Sequence, residues 1–132
     1  MNEYSVLVID DDEDIRHTFN HILKSGGYDV YDSVDGYDTV KTLKTILPDV
    51  LLLDLTMPNM DGFEFLKHIR QSGFTAPIIV VTGRPEEGLE ETTLKLGANG
   101  FLRKPVSPEK ILKLVAQVIG ESSSSKTLSI AR

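Results

Sequence analysis

Apolar residues in this chain form two patterns, short continuous runs and longer stretches with the spacing of a helix. The continuous runs are residues 6–9, 50–53, 78–81 and 101–102. Because helix-length segments separate them, these runs are typical of parallel strands that are buried on both faces of a sheet. Residues 28–34 instead alternate between apolar and polar positions, which predicts an edge strand.

The segments between the runs carry apolar residues three or four positions apart, which predicts amphipathic helices. The second helix should stop before Pro48, and the fourth, at residues 86–96, contains Gly88 and has the weakest periodicity. The fifth should begin with Ser107 as its N-cap and Pro108 at its first position. The residues expected to face the core in the first three helices are Ile15, Phe19, Ile22 and Leu23, then Val40, Leu43, Ile46 and Leu47, and then Phe63, Leu66 and Ile69.

Five alternations of strand and helix favour a doubly wound α/β fold, in which right-handed crossovers place helices on both faces of a parallel sheet. If the alternating second strand and the short fifth strand are the two edges, the strand order is 2-1-3-4-5. This is a flavodoxin-like three-layer sandwich with (βα)5 topology. The predicted domain covers residues 3–120, and the serine-rich residues 121–132 are expected to be a flexible tail or the start of a linker.

Composition and charge narrow the class of protein. With 132 residues, 40% of them hydrophobic and 26% charged, the chain fits one soluble globular domain. It has no cysteine, so disulfides and thiolate metal sites are excluded. Its net charge of −6 argues against direct nucleic-acid binding. No apolar stretch approaches the roughly 20 residues that span a bilayer, and the amino terminus has no signal-peptide pattern, so a cytoplasmic protein without membrane contact is expected.

Polar side chains that suit phosphate chemistry follow the apolar runs. Asp10 and Asp11 come after the first run, Asp54 after the second, Thr82 after the third and Lys104 after the last. Parallel sheets bind their ligands at the carboxyl ends of the strands. These five residues are therefore expected to meet in space.

A cluster of three carboxylates needs a cation or a proton, because the negative charges repel one another. Oxygen ligands without sulfur or histidine favour Mg²⁺. Thr82 adds a hydroxyl donor and Lys104 a positive charge, the two groups needed to hold the oxygens of a phosphoryl group during its transfer. Asp54 is then the expected nucleophile, and an acyl phosphate on its carboxylate is the expected intermediate.

The motifs around these residues make the pattern more specific. VLVIDD lies at the first strand, LLLDLTMPNMDG surrounds Asp54, IIVVTG contains Thr82 and GANGFLRKP contains Lys104. In order and spacing, the chain resembles the receiver domain of bacterial two-component response regulators over residues 3–119. The resemblance implies a phosphorelay signalling protein whose phosphoryl group comes from a phosphohistidine on a sensor histidine kinase or a histidine phosphotransfer protein.

The same resemblance implies a role for each acidic residue. Asp54 would be the phosphoacceptor, Asp11 a direct magnesium ligand, and Asp10 an outer ligand acting through water. The backbone carbonyl of Thr56 would complete the protein's share of the metal shell. Asp12 extends the acidic run, so two adjacent pairs are available, and the pair nearest the strand is chosen.

The resemblance also implies how phosphorylation would be sensed. Thr82 and Lys104 would bind phosphoryl oxygens, and Phe101 stands at the aromatic switch position, where many receivers have tyrosine. Movement of Thr82 toward the phosphoryl group would let Phe101 turn and would shift the surface of the fourth and fifth helices. A cis bond between Lys104 and Pro105 is implied as well. Arg84, two residues after Thr82, is expected near the mouth of the site and is a candidate for tuning the access of hydrolytic water.

A receiver is a signalling domain rather than a turnover enzyme, since it assists only its own phosphorylation and dephosphorylation. Its downstream partner would be an unidentified protein, and a dimer that forms on phosphorylation is one alternative. Two other function classes stay open. One is a receiver-like interaction module that takes no phosphate, and the other is a phosphatase of the haloacid dehalogenase type, which needs a second aspartate where this chain has Thr56.

Overall fold

The computed structural model describes residues 3–57 and 60–131, with side chains described as far as residue 122. Within these residues the chain alternates between strands and helices. The strands are β1 (Ser5–Ile9), β2 (Asp29–Ser33), β3 (Val50–Leu53), β4 (Thr56–Met57), β5 (Met60–Asp61), β6 (Ile78–Thr82) and β7 (Gly100–Arg103). The helices are α1 (Glu13–Ser25), α2 (Gly36–Thr42), α3 (Gly62–Gln71), α4 (Leu89–Lys95) and α5 (Pro108–Ala131).

Five of the strands form one parallel sheet in the order β2-β1-β3-β6-β7. In the centre of the sheet, Val6 of β1 pairs with Val50 of β3, and Leu51 of β3 pairs with Ile78 of β6. The short strands β4 and β5 pair with each other in antiparallel orientation outside this sheet. With that pair set aside, the order is the predicted 2-1-3-4-5, and the flavodoxin-like α/β fold is confirmed.

Alternate residues of the central strands point to opposite faces, so the sheet separates two hydrophobic cores. One core packs strand residues against α1 and α5: Val6, Val8, Phe19, Ile22, Leu23, Val50, Leu52, Ile79, Val81, Ile111, Val115, Val118 and Ile119. The other lies mainly under α3: Leu7, Ile9, Leu51, Leu53, Leu55, Met57, Phe65, Leu66, Ile69, Ile78, Val80, Leu89 and Ala98. Because both faces are covered, the central strands are apolar except at Ser5, which begins β1, and Thr82, which ends β6.

Side-chain caps mark the starts of α1, α2, α3 and α5, and those of α1 and α5 concern residues that the sequence singled out. Asp12 caps α1, where its carboxylate accepts the N–H groups of Asp14 at 2.9 Å and Ile15 at 3.3 Å. The predicted cap of α5 is confirmed, because the Ser107 hydroxyl accepts the N–H of Lys110 at 3.2 Å. Both caps satisfy backbone donors that a helix leaves free at its first turn.

The predicted second helix is too long. Helix α2 ends at Thr42, and the N–H groups of Lys44 and Thr45 then bond to carbonyls three residues earlier. These tighter turns take the chain off the helical path, so Leu47, which was expected to face the core, has 84% of its surface exposed. Val40, which was also expected to face the core, is exposed as well. Of the four residues predicted to face the core in this helix, Leu43 and Ile46 are the two that are partly buried.

The other helices show smaller differences. Helix α4 begins after Gly88, whose φ of +82° suits glycine and breaks the helix predicted to start at residue 86. In α3, Phe65 is buried, whereas Phe63, which was expected to face the core, is half-buried. Leu66 and Ile69 are buried as predicted.

The last helix passes through the serine-rich segment. Its backbone is helical to Ala131, whereas the sequence predicts a flexible tail from residue 121. Extending an existing helix is easier than starting one, which gives a physical reason for the difference. The division into a domain of residues 3–120 and a separate tail stays a prediction. Among the helices described, none has the length and apolar character required to cross a bilayer.

Candidate functional site

The polar residues at four strand ends meet at one edge of the sheet. Lys104 Nζ lies 2.8 Å from Asp10 Oδ2 and 3.3 Å from Asp54 Oδ2. Carboxylate oxygens of Asp10, Asp11 and Asp54 lie within 4.8 Å of one another. Thr82 belongs to the same edge, because its carbonyl accepts the Lys104 N–H at 2.8 Å. The fold thus brings together all five residues that follow the apolar runs.

Backbone hydrogen bonds fix the positions from which the two buried carboxylates extend. The N–H of Asp54 donates to the Ile9 carbonyl at 3.0 Å, and the N–H of Asp10 donates to the Ser33 carbonyl at 3.2 Å. These bonds continue the sheet one residue beyond β1 and β3. Site residues anchored on strands in this way are held more rigidly than residues on loops.

Burial differs sharply among the acidic residues. Asp10 is 2% exposed and Asp54 is 5% exposed, whereas Asp11 is exposed to solvent. Each buried carboxylate accepts one backbone N–H, from Asp12 to Asp10 at 2.9 Å and from Thr56 to Asp54 at 3.1 Å. Their second oxygens contact Lys104, so the two share one ammonium group.

The protonation of Asp54 reflects this environment. Burial raises its pKa above the ordinary value of 3.8, and the negative charge of Asp10 adds to the rise. The hydrogen bond from Thr56 and the charge of Lys104 act in the opposite direction without cancelling it. The carboxylate of Asp54 is therefore less stable in its charged form than an exposed aspartate.

Lys104 shows the opposite balance. Burial acts to lower its pKa, but the hydrogen bond to Asp10 and the negative charges of Asp54 and Asp10 outweigh burial, so the pKa is raised. The ammonium group is consequently fully charged at neutral pH. It provides a fixed positive charge within hydrogen-bonding distance of Asp54.

The donor set at this edge suits a divalent cation. Three carboxylates against one ammonium leave an excess of two negative charges, and oxygen atoms are the ligands that Mg²⁺ prefers. Asp12 does not join them, because its carboxylate caps α1, and this geometry favours Asp10 and Asp11 as the acidic pair. The Thr56 N–H is bonded to Asp54, whereas the role of the Thr56 carbonyl as a ligand stays a prediction.

Thr82 ends β6, the strand beside β3, and Phe101 lies on β7, one strand further along the sheet. The Thr82 hydroxyl is buried and accepts the N–H of Arg84 at 3.2 Å. Phe101 is half-buried and packs against the core under α3. The peptide bond between Lys104 and Pro105 is cis, as the resemblance implies.

Arg16 also supports the site, although its sequence position did not predict this role. Its guanidinium donates to the Asp10 carbonyl at 2.7 Å and lies 3.3 Å from the carboxylate of Asp32 on β2. It therefore supports the turn that carries Asp10. A basic residue one helical turn after an acidic N-cap was the available signal, but its partners, a backbone carbonyl and a residue of another strand, cannot be read from spacing.

Sequence comparisons identify related proteins. The family model described as "Response regulator receiver domain" matches residues 6–116. PhoP, the alkaline phosphatase synthesis transcriptional regulatory protein of Bacillus subtilis, is 35% identical over 117 residues, covering 89% of this chain and 49% of PhoP. The chemotaxis protein CheY of Treponema pallidum is 36% identical over 119 residues, covering 88% of this chain and 83% of CheY. The chain thus spans about half the length of PhoP.

Solved structures agree with the sequence comparisons. The chemotaxis protein CheY4 of Vibrio cholerae superimposes with a TM-score of 0.80 at 35% sequence identity. The match covers 87% of this chain and 98% of CheY4.

Proposed function

This chain belongs to the response regulator receiver domain family of two-component systems, and from that premise we propose that it is phosphorylated on Asp54. The donor would be a phosphohistidine on a sensor histidine kinase or a histidine phosphotransfer protein. The observation that carries the proposal is the buried carboxylate of Asp54, which lies 3.3 Å from Lys104 Nζ within a cluster of two further acids.

Asp54 is suited to act as the nucleophile. Its N–H is fixed by β1, and its Oδ1 accepts the N–H of Thr56, so the carboxylate is held in one orientation. Because burial raises its pKa, its charged form gains more from a positively charged surrounding than an exposed carboxylate would. Positioning and electrostatic stabilisation supply most of the catalysis in phosphoryl transfer.

The transfer step exchanges one bond for another. An oxygen of Asp54 forms a bond to phosphorus while the bond from phosphorus to the imidazole nitrogen of the donor breaks. The leaving imidazole takes up a proton and becomes neutral histidine, and the phosphoryl group remains on Asp54 as a mixed anhydride. Lys104, whose ammonium group already lies beside Asp54, would neutralise part of the charge on the phosphoryl oxygens.

The acidic cluster would hold the metal that this chemistry needs. Asp11, Asp10 and Asp54 would bind Mg²⁺, with the Thr56 carbonyl as a further ligand. The bound ion would offset the repulsion between the incoming phosphoryl group and the carboxylates. The exposed carboxylate of Asp11 suits a metal exchanged with solvent, and the buried carboxylate of Asp10 suits an outer role.

Phosphorylation would then change the surface of the domain. The Thr82 hydroxyl would turn toward a phosphoryl oxygen, and Phe101 would move into the space that it leaves. Because β7 lies between α4 and α5, the face formed by these elements would shift toward a partner-binding arrangement. The partner would be a downstream protein, or a second copy of the chain in a phosphorylation-dependent dimer.

The test is the intact mass of the protein after incubation with acetyl phosphate and Mg²⁺. The expected result is one phosphoryl adduct that is absent from Asp54→Asn. Asp12→Asn is the matched control, because asparagine caps a helix as well as aspartate and should keep the adduct. Asp11→Asn should lose most of the Mg²⁺-dependent phosphorylation. Asp10→Asn should weaken it and Asp12→Asn should not, and this contrast separates the two acidic pairs, because Asp11 belongs to both.

Two other results would point to the alternative classes. Continuous release of phosphate from small substrates would indicate a phosphatase, although Thr56 replaces the second aspartate that the haloacid dehalogenase type needs. An unmodified protein with every phosphodonor would indicate a receiver-like interaction module. An adduct that persists in Asp54→Asn would place the acceptor elsewhere.

A further inference from the structure

Arg103, next to Lys104 on β7, joins two parts of the molecule that are not neighbours in sequence. Its guanidinium carbon lies 5.2 Å from the centre of the Phe101 ring. Its Nη1 donates to the Arg84 carbonyl and its Nη2 donates to the Glu86 carbonyl at 3.3 Å. One planar group thus contacts the switch ring and the loop of residues 83–88 between β6 and α4.

That 83–88 loop has few other anchors. The N–H of Arg84 donates to the Thr82 hydroxyl at 3.2 Å, and the Arg84 side chain forms an ion pair with Glu86 at 3.3 Å. The Arg84 guanidinium lies 5.3 Å from the centre of the Phe63 ring on α3. Ion pairs and cation–π contacts at exposed positions are individually weak, so the two carbonyl bonds from Arg103 form a substantial share of what holds the loop.

We infer that Arg103 is a positioning residue that biases the domain toward its unphosphorylated arrangement. It does so by holding the 83–88 loop next to Phe101, through the two carbonyl hydrogen bonds and the ring contact, and this set of contacts is called the latch. The inference rests on the proposed function in one respect, that the arrangement favoured by Arg103 is the unphosphorylated one. The contacts of Arg103 themselves are present without phosphorylation. The inference goes beyond the switch roles of Thr82 and Phe101, because it assigns a residue that controls how readily the two move.

The coupling follows from the geometry of the guanidinium. When Thr82 moves toward a phosphoryl group, the Arg84 N–H bonded to its hydroxyl must move or lose that bond. Movement of the loop withdraws the carbonyls from Arg103, and an Arg103 freed from the loop holds the ring less tightly. Rotation of Phe101 likewise removes one side of the contact, so the loop and the ring open together more easily than either opens alone.

Arginine is required because its fork spans two carbonyls while its flat face covers a ring. Lysine at this position would keep the positive charge near Phe101 but would reach one carbonyl at a time. Arg103→Gln removes both the charge and the fork, and Arg103→Lys removes the fork alone. Lys113→Gln on the exposed surface of α5 removes one positive charge away from the loop and is the matched control.

The first measurement uses the unphosphorylated chain with Mg²⁺. Hydrogen exchange of residues 83–88 should accelerate about three- to tenfold in Arg103→Gln, because exposed carbonyl hydrogen bonds and a cation–π contact together stabilise a loop by that factor. In protein labelled with 4-fluorophenylalanine, the ¹⁹F signal of Phe101, assigned with Phe101→Leu, should shift toward the position seen with beryllofluoride. Arg103→Lys should give intermediate values, and Lys113→Gln should match the unsubstituted chain.

The second measurement is the rate of phosphorylation by acetyl phosphate, which should rise about threefold or more in Arg103→Gln because the competent arrangement is more populated. Unchanged exchange in the loop, or faster exchange with an unmoved Phe101 signal, would overturn the latch. A slower rate would overturn the assigned direction of the bias. If no variant is phosphorylated, the proposed function fails, whereas the exchange and ¹⁹F results still decide the latch.

Discussion

At each end of the parallel strands, called here the carboxyl edge and the amino edge, the fold encloses a partly buried cationic side chain, and the two edges do so in opposite ways. At the carboxyl edge, Lys104 contacts the charged groups of Asp10 and Asp54. At the amino edge, Arg70 from the end of α3 donates only to neutral oxygens, at distances of 2.8 to 2.9 Å. Its acceptors are the carbonyls of Gly97, Phe74 and Ala76 and the side chain of Asn99.

The amino edge is complete in its hydrogen bonds, whereas the carboxyl edge needs a cation or a phosphoryl group to balance its charge. The contacts of Arg70 tie the loop before β6 to the loop before β7, and Asn99 also accepts the N–H of Ile78 at 3.0 Å. Burial lowers the pKa of Arg70, but each of its three guanidinium nitrogens donates at least one hydrogen bond. At the carboxyl edge every buried oxygen has a partner among the described residues, yet negative charge remains in excess. One edge therefore stabilises the fold, and the other keeps an unfavourable charge balance that a cation or a phosphoryl group would relieve.

The largest effect on stability is expected at the amino edge. Arg70→Met should lower the free energy of unfolding by about 3 kcal/mol, because it leaves several part-buried carbonyl oxygens without donors. Denaturant unfolding at neutral pH measures the change. Phosphorylation of the folded fraction by acetyl phosphate should stay the same, since Arg70 lies at the other edge.

Arg70→Lys separates charge from geometry. Lysine keeps the charge but lacks the planar fork, so most of the loss should persist. A loss below about 0.5 kcal/mol in Arg70→Met, the range of an ordinary surface substitution, would contradict the view that this edge stabilises the fold.

The second effect is expected at Lys104. Lys104→Met should lower the free energy of unfolding by about 2 kcal/mol without Mg²⁺, because two buried carboxylates lose the ammonium they share. The raised pKa of Lys104 means that its contribution is complete below the pKa of an unfolded lysine and is lost as pH rises through the folded value. The difference between the two proteins should thus be constant at neutral pH and shrink in alkali.

Added Mg²⁺ distinguishes charge from packing in this variant. Because the acidic cluster of Lys104→Met is more negative, Mg²⁺ should restore more of its stability than it adds to the unsubstituted chain. Unfolding curves over a Mg²⁺ series provide the measurement. Equal stabilisation of both proteins would show that Lys104 does not balance the acidic cluster.

The two edges also differ in how far they can be predicted from sequence. Asp10 and Asp54 directly follow apolar runs and Lys104 comes two residues after one, so the rule that parallel strands end at one edge brings them together. Arg70 carries no such signal, because its partners are mainly backbone carbonyls and Gly97 is 27 residues away. A backbone carbonyl exists at every residue, and only the folded chain shows which ones converge.

The same distinction explains which predictions about the fold were right and which were wrong. The sheet order was predictable because continuous apolar runs mark strands buried on both faces. The exposed Leu47 was not, since the tight turns after Thr42 depend on local hydrogen bonds rather than on apolar spacing. The pair β4 and β5 has two residues in each strand, too few to show any period.

The smallest effect is expected at Asp54, and its sign is the sharpest test of the comparison. Asp54→Asn should raise the free energy of unfolding by about 1 kcal/mol at pH 7, because it removes a buried charge whose pKa is raised by burial and by Asp10. Since the folded pKa lies above the ordinary value of 3.8, the unsubstituted chain loses stability from Asp54 as pH rises through the interval between the two values. The advantage of Asp54→Asn should therefore be complete above the folded pKa and disappear below the unfolded one.

Unfolding of both proteins across this pH range measures the advantage of Asp54→Asn, with Asp12→Asn as the control that should show no such gain. A loss of stability in Asp54→Asn at pH 7 would mean that the ion pair with Lys104 outweighs burial, and that the carboxyl edge is as electrostatically complete as the edge built around Arg70.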